Sequence, residues 1–178
     1  MKATGIVRRI DDLGRVVIPK EIRRSLRIRE GEPLEIFTSE DGGVVFRKYS
    51  PIGEVGDFTG QYAEAIHKVS GISVAICDMD SIVAAAGVPK KDYLSHPLTS
   101  NLSSLLETRR PFSSTADGKL IRATEQSNEA VTYLAPIVSE GNPVGGVMIL
   151  SSDNTSPDET AKKLVNTGAM FLSSQMQV

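Results

Sequence analysis

A single cysteine, Cys77, stands in the 178 residues, and there is no tryptophan. One thiol excludes an internal disulfide and fits a reducing, cytoplasmic setting. With two histidines beside it, no Cys/His cluster reaches zinc-ligand spacing, so no metal is expected. Aromatic residues make up 5% of the chain, too few for a platform that stacks single-stranded bases. No apolar run approaches the roughly 20 residues that span a bilayer. No charged-then-apolar start resembles a signal peptide. A soluble cytoplasmic protein that does not engage a membrane is therefore expected.

Catalytic constellations are equally scarce. Cys77 ends an apolar run without a resolving partner, which reads as a packing position. Asp78 and Asp80 sit in a short turn between two apolar runs, where Asp side chains cap the backbone. His67 falls on a helical stretch and His96 precedes Pro97, neither within a partner motif. Gly141, Gly145 and Gly146 lie between and within apolar runs, without the lysine and following helix of a phosphate loop. No enzyme, and no catalytic residue, is expected from this pattern.

What the chain does have is charge, unevenly spread. Its net charge is -2, yet residues 1–30 hold nine basic residues (Lys2, Arg8, Arg9, Arg15, Lys20, Arg23, Arg24, Arg27, Arg29) against Asp11, Asp12, Glu21 and Glu30. Residues 1–50 carry net +3 and residues 51–178 net -5. A dense basic patch on a small head is the footprint of a protein that binds a phosphate backbone. The acidic remainder would repel the same polyanion. Arginine adds a planar fork that matches both phosphates and guanine edges.

The chain order supports two modules. In the first, Gly5–Ile10 and Arg15–Ile18 read as short strands around the turn Asp11-Asp12-Leu13-Gly14. Pro19 opens a short helix with Ile22 and Leu26 on one stripe and Arg23, Arg24 and Arg27 off it. Leu34–Thr38 and Val44–Tyr49 read as a hairpin. A unit of about fifty residues, without metal or disulfide, buries too little to stand alone. A second copy with interleaved hairpins is the simplest remedy, so an obligate dimer is expected.

Residues 51–55, inside Ser50-Pro-Ile-Gly-Glu-Val-Gly56, read as a linker. The second module spans 56–178. Phe58, Tyr62, Ala65, Ile66 and Val69 keep helical spacing up to Gly71. Ile72–Cys77 and Ser81–Ala86 form a strand pair, and Leu98, Leu102, Leu105 and Leu106 mark a helix. Lys119–Thr124 is a weaker strand, while Val131–Val138 and Val144–Ser151 are strong ones. Ser156-Pro157-Asp158-Glu159 reads as a helix start with Ser156 as N-cap. This order predicts an α+β domain with a mainly antiparallel sheet.

The run Thr4-Gly-Ile-Val-Arg-Arg-Ile-Asp-Asp-Leu-Gly-Arg-Val-Val-Ile-Pro-Lys-Glu-Ile-Arg-Arg-Ser-Leu26 resembles the AbrB-type swapped-hairpin DNA-binding family, over residues 2–50. The resemblance implies a β-rich head of two intertwined chains. It also implies DNA contacts from Arg8, Arg15, Arg23 and Arg24, with Arg9 at a basic family position and Lys2 peripheral. Val131-Thr-Tyr-Leu-Ala-Pro-Ile-Val-Ser-Glu-Gly-Asn-Pro-Val-Gly-Gly-Val-Met-Ile-Leu150 looks like the late strand pair of a GAF domain. Together the two modules are similar to AbrB-like transcription regulators of spore-forming bacteria. That implies activation and repression of genes in late spore development.

GAF domains often bind small molecules, but no motif here indicates a ligand, and no cofactor is expected. The terminal helices, 57–70 and 157–176, offer a bundle that would join two dimers into a tetramer. Three functions stay open: a regulator that binds double-stranded DNA, a small-molecule sensor that governs assembly, and an antitoxin-like partner protein. A toxin-docking tail would be acidic or disordered, whereas this tail reads as a folded domain.

Overall fold

The computed structural model describes residues 5–54, 56–115 and 118–176. The chain divides into two compact units, Met1–Tyr49 and Ser50–Val178.

The first unit holds one short helix, α1 (Lys20–Ser25), and an antiparallel hairpin of β1 (Leu34–Thr38) and β2 (Val44–Lys48). Pro19 fixes the entry to α1, and its carbonyl accepts the Arg23 amide at 2.9 Å. The helix closes through Arg27, which takes φ 53°, while the Ile28 amide returns to the Arg23 carbonyl at 2.7 Å. A brace then ties this turn to the hairpin. Lys48 Nζ donates to the Arg27 carbonyl at 2.8 Å and lies 3.3 Å from Glu32 Oε1, while Glu32 Oε2 accepts the Arg29 amide.

Two expected strands of this unit differ. Residues 5–10 and 15–18 form no strand among the described residues. The turn between them does form, with the Asp11 amide bonded to the Arg15 carbonyl at 3.0 Å. The reason is that a half-buried face is what fixes a strand's register, and here there is none. No residue from 5 to 49 is buried, and Val7 is 85% exposed, with Ile10, Leu13 and Val17 also exposed.

The second unit is built on a five-stranded antiparallel sheet in the order β4-β3-β7-β6-β5. Its strands are β3 (Ser73–Cys77), β4 (Ile82–Ala86), β5 (Phe112–Ser113), β6 (Ala130–Ser139) and β7 (Asn142–Ser151). Side chains alternate between two cores. Val74, Ile76, Val147 and Ile149 face α3 (Gly56–Ser70) and α5 (Glu159–Gln175). Ala75, Cys77, Met148 and Leu150 face α4 (Ser100–Glu107) and the chain around Tyr93. Both faces are covered, which is why these strands read as continuous apolar runs.

The structure corrects the sequence reading at four places in this unit. Pro51–Glu54 is a helical turn, α2, and Ile52 is fully buried in the α3/α5 core, so the expected linker is part of the second unit up to Glu54. Lys119–Thr124 is no strand and makes only an isolated bridge between Arg122 and Ala130. There Thr124 and Ser127 exchange backbone–hydroxyl bonds at 3.2 and 3.0 Å, giving the backbone an alternative to a ladder. The edge strand β5 pairs Phe112 with Leu134 and Ser113 with Tyr133, too short to show a period. Finally, the N-cap of α5 is Asp158, not Ser156. Its carboxylate accepts the Ala161 amide at 2.7 Å.

Candidate nucleic-acid interface

Arg8 and Arg9 precede the Asp11–Gly14 turn and Arg15 follows it, on the chain that returns to bond the Asp11 amide. Gly14 takes φ 76°, a conformation that costs glycine nothing. Arg8, Arg9, Arg15 and Arg24 are exposed, and Arg23 is half-buried. Arg23 and Arg24 lie in the last turn of α1, where cations also complement the helix dipole. Lys2 lies outside the described residues.

Asp11 organises the turn. Its Oδ1 accepts the Leu13 amide at 3.0 Å and the Arg15 amide at 2.8 Å, while Oδ2 accepts Arg15 Nε at 2.8 Å. The Arg15 amide, followed by its guanidinium, holds the Asp11 carboxyl below the ordinary carboxylate range. The Asp is therefore ionised wherever the protein is folded near neutral pH. Its residue type, its turn position and its charge beside the arginines were visible in the sequence, but the division of work between its two oxygens was not, being a matter of side-chain geometry.

The GAF-like unit places the remaining candidates in structural roles. Cys77 is fully buried, and burial pushes its thiol well above the usual range, which keeps it protonated. Asp78 Oδ1 accepts the amides of Asp80 and Ser81 at 2.8 and 2.7 Å, and Oδ2 accepts Ser50 Oγ at 3.0 Å. His67 Nδ1 lies 2.9 Å from the Ile72 carbonyl and His96 Nε2 2.9 Å from that of Lys91. Gly141 takes φ 78° in the β6–β7 turn, while Gly145 and Gly146 allow close strand packing. Among the described residues no group of His, Cys, Asp and Glu is placed to hold a metal ion, and no helix is long and apolar enough to cross a membrane.

Comparison with known proteins matches both units. Residues 54–177 match the family described as stage V sporulation protein T C-terminal, transcription factor, and residues 7–54 match that of antidote-toxin recognition MazE, bacterial antitoxin. Stage V sporulation protein T of Bacillus subtilis (strain 168) is 50% identical over 179 residues, covering 99% of each chain. The transition state regulatory protein AbrB of the same organism is 51% identical over 63 residues, covering 32% of this chain and 65% of its own. The GAF domain of a phosphoenolpyruvate-protein phosphotransferase from Coxiella burnetii superposes with TM-score 0.54 at 17% identity, covering 68% of this chain and 82% of its own. That likeness concerns the fold of the second unit. An AbrB-like head, a GAF-like α+β domain and full-length similarity coincide in one chain, and it belongs to the stage V sporulation protein T family of sporulation transcription regulators.

Proposed function

We propose that this chain binds double-stranded DNA through paired heads and works in the cytoplasm as an activator and repressor of sporulation genes. The contacts are Arg8, Arg9, Arg15, Arg23 and Arg24, with Lys2 at the periphery. The observation that carries this reading is the composition of the head's surface. Its arginines lie beside exposed Val7, Ile10, Leu13 and Val17, and no residue from 5 to 49 is buried. Apolar side chains left open in one chain are what an intertwined second chain covers. Pairing then doubles the arginines on one assembly. No cofactor is needed, since the protein's own guanidinium groups supply the charge.

The GAF-like unit in this reading joins the paired heads into a tetramer through its terminal helices and is the place where a small ligand would act. Catalysis has no part in it, in keeping with a buried, protonated Cys77. An antitoxin-like role, raised by the match of residues 7–54, is disfavoured by the similarity that runs the whole length of the chain.

A DNA-binding titration of the intact protein at two salt concentrations tests the proposal. Each phosphate neutralised steepens the fall of log K with log salt by about 0.9. Arg15→Ala and Arg23→Ala are expected to weaken binding and flatten that slope. Affinity and slope unchanged in both variants would overturn the assignment.

A further inference from the structure

We infer that Asp11 is a specificity-determining residue, which holds the Arg15 guanidinium by its Nε edge so that DNA meets Arg15 in one orientation. This inference rests on the DNA-binding reading above. The two carboxylate oxygens divide the work. Oδ1 closes the turn through the Leu13 and Arg15 amides, and Oδ2 takes Arg15 Nε at 2.8 Å. The Arg15 side chain stays 69% exposed, against 37% for that of Asp11. The ion pair engages Nε, which leaves the two terminal nitrogens as the edge that Arg15 turns outward.

An exposed ion pair of this kind adds little stability, so orientation is the effect that matters. A carboxylate close to a DNA-binding arginine repels phosphates and cancels much of that arginine's long-range attraction for any polyanion. Short-range hydrogen bonding by the two terminal nitrogens survives, and that is the geometry which pairs with a guanine edge. Asp11 thus weakens contacts with arbitrary phosphates more than contacts that fit. Specificity is a difference of affinities, and a repulsive element widens it. Without the carboxylate, Arg15 would swing onto whichever phosphate lies nearest.

The substitution Asp11→Asn separates the two jobs. An amide oxygen can still accept the Leu13 and Arg15 amides, whereas the amide nitrogen cannot accept from Arg15 Nε. The intact protein is titrated with two duplexes of equal length, one selected by the wild type from a random pool and one of random sequence. Asp11→Asn is expected to tighten binding to the random duplex and to steepen its salt slope by about 0.9. The ratio of affinities for the selected and random duplexes is expected to fall by roughly fivefold or more. In an Arg15→Ala background the same substitution is expected to leave the ratio of affinities for the two duplexes unchanged, because the discrimination needs both side chains. Equal weakening on both duplexes, or no change on either, would show that Asp11 only shapes the turn and would overturn the inference while leaving DNA binding intact. Wild-type binding by Arg15→Ala would remove Arg15 from the contacts and overturn the inference with it.

Discussion

Ile52, at the start of the second unit, packs directly on Gly145 of β7. A Cβ placed on Gly145 would overlap Ile52 Cδ1 and the carbonyl oxygen of Cys77. The chain leaving the head is thereby fastened into the second unit's core, and Ser50 adds a hydrogen bond to Asp78 at 3.0 Å. This contact predicts that Ile52→Ala destabilises the second unit by about 2–5 kcal/mol, the cost of deleting a fully buried aliphatic side chain. Gly145→Ala is expected to cost about 1–3 kcal/mol through overpacking, because the obstructing carbonyl belongs to backbone. Denaturant unfolding of the intact protein measures both. A flexible linker would make Ile52→Ala neutral.

Asp158 gives a second test, at the start of α5. Its carboxylate accepts the Ala161 amide at 2.7 Å, and Ser156 lies two residues before that cap. Asp158→Ala is expected to lower stability by about 1 kcal/mol, and Ser156→Ala to change it by less than half of that. Thermal melts of the two variants settle which residue is the cap.

The same position shows where the sequence stops being legible. Ser156-Pro157-Asp158-Glu159 contains two residues able to cap a helix, and only the backbone path decides between them. Ile52 was hidden for a similar reason. A Pro-Ile-Gly segment has the composition of a connector, and one apolar residue shows no period that would reveal a core position. Long features were readable throughout. β6, β7, α3 and α5 each supply enough residues to display apolar runs or a helical stripe. The arginines of the head and the acids among them were readable as residue types, whereas the atoms by which Asp11 holds Arg15 were not, since side-chain geometry decides which nitrogen meets which oxygen.

Tyr93 predicts a pH dependence. It is fully buried, and its Oη donates to Glu129 Oε2 at 2.5 Å. Burial, reinforced by the Glu129 carboxylate, raises the phenol well above its ordinary range. A group whose pKa is raised on folding stabilises the protein fully below its unfolded pKa of about 10. That contribution is lost as pH rises from there toward the folded value. The wild type should therefore lose stability progressively from about pH 10 upward, and Tyr93→Phe should show a shallower loss over the same rise. Near neutral pH the variant is expected to be weaker by about 1 kcal/mol, for one hydrogen bond removed. Parallel pH–stability profiles for the two proteins would contradict the assignment.

The paired terminal helices of the second unit supply the test of assembly. Tyr62 of α3 closes onto α5, where Gly168 leaves room for its ring and its Oη donates to the Leu164 carbonyl at 3.1 Å. The Tyr62 ring stacks with that of Phe171, centroids 6.1 Å apart. On the α3 side of this seam Val69 is 83% exposed and Phe58 lies on the same apolar stripe, while Met170, 74% exposed, lies on the outer face of α5. These side chains contribute nothing to the unit's own core, so charging them should spare its fold. The double variant Val69→Asp, Met170→Asp is expected to melt within a few degrees of wild type, since exposed positions change stability by less than about 0.5 kcal/mol each. If the exposed faces of these two helices join two dimers, sedimentation should find the wild type at four chains and the variant at two. A variant still at four chains would move the second interface away from these helices. A variant at one chain would mean that the head does not pair by itself, against the reading drawn from its exposed Val7, Ile10 and Val17.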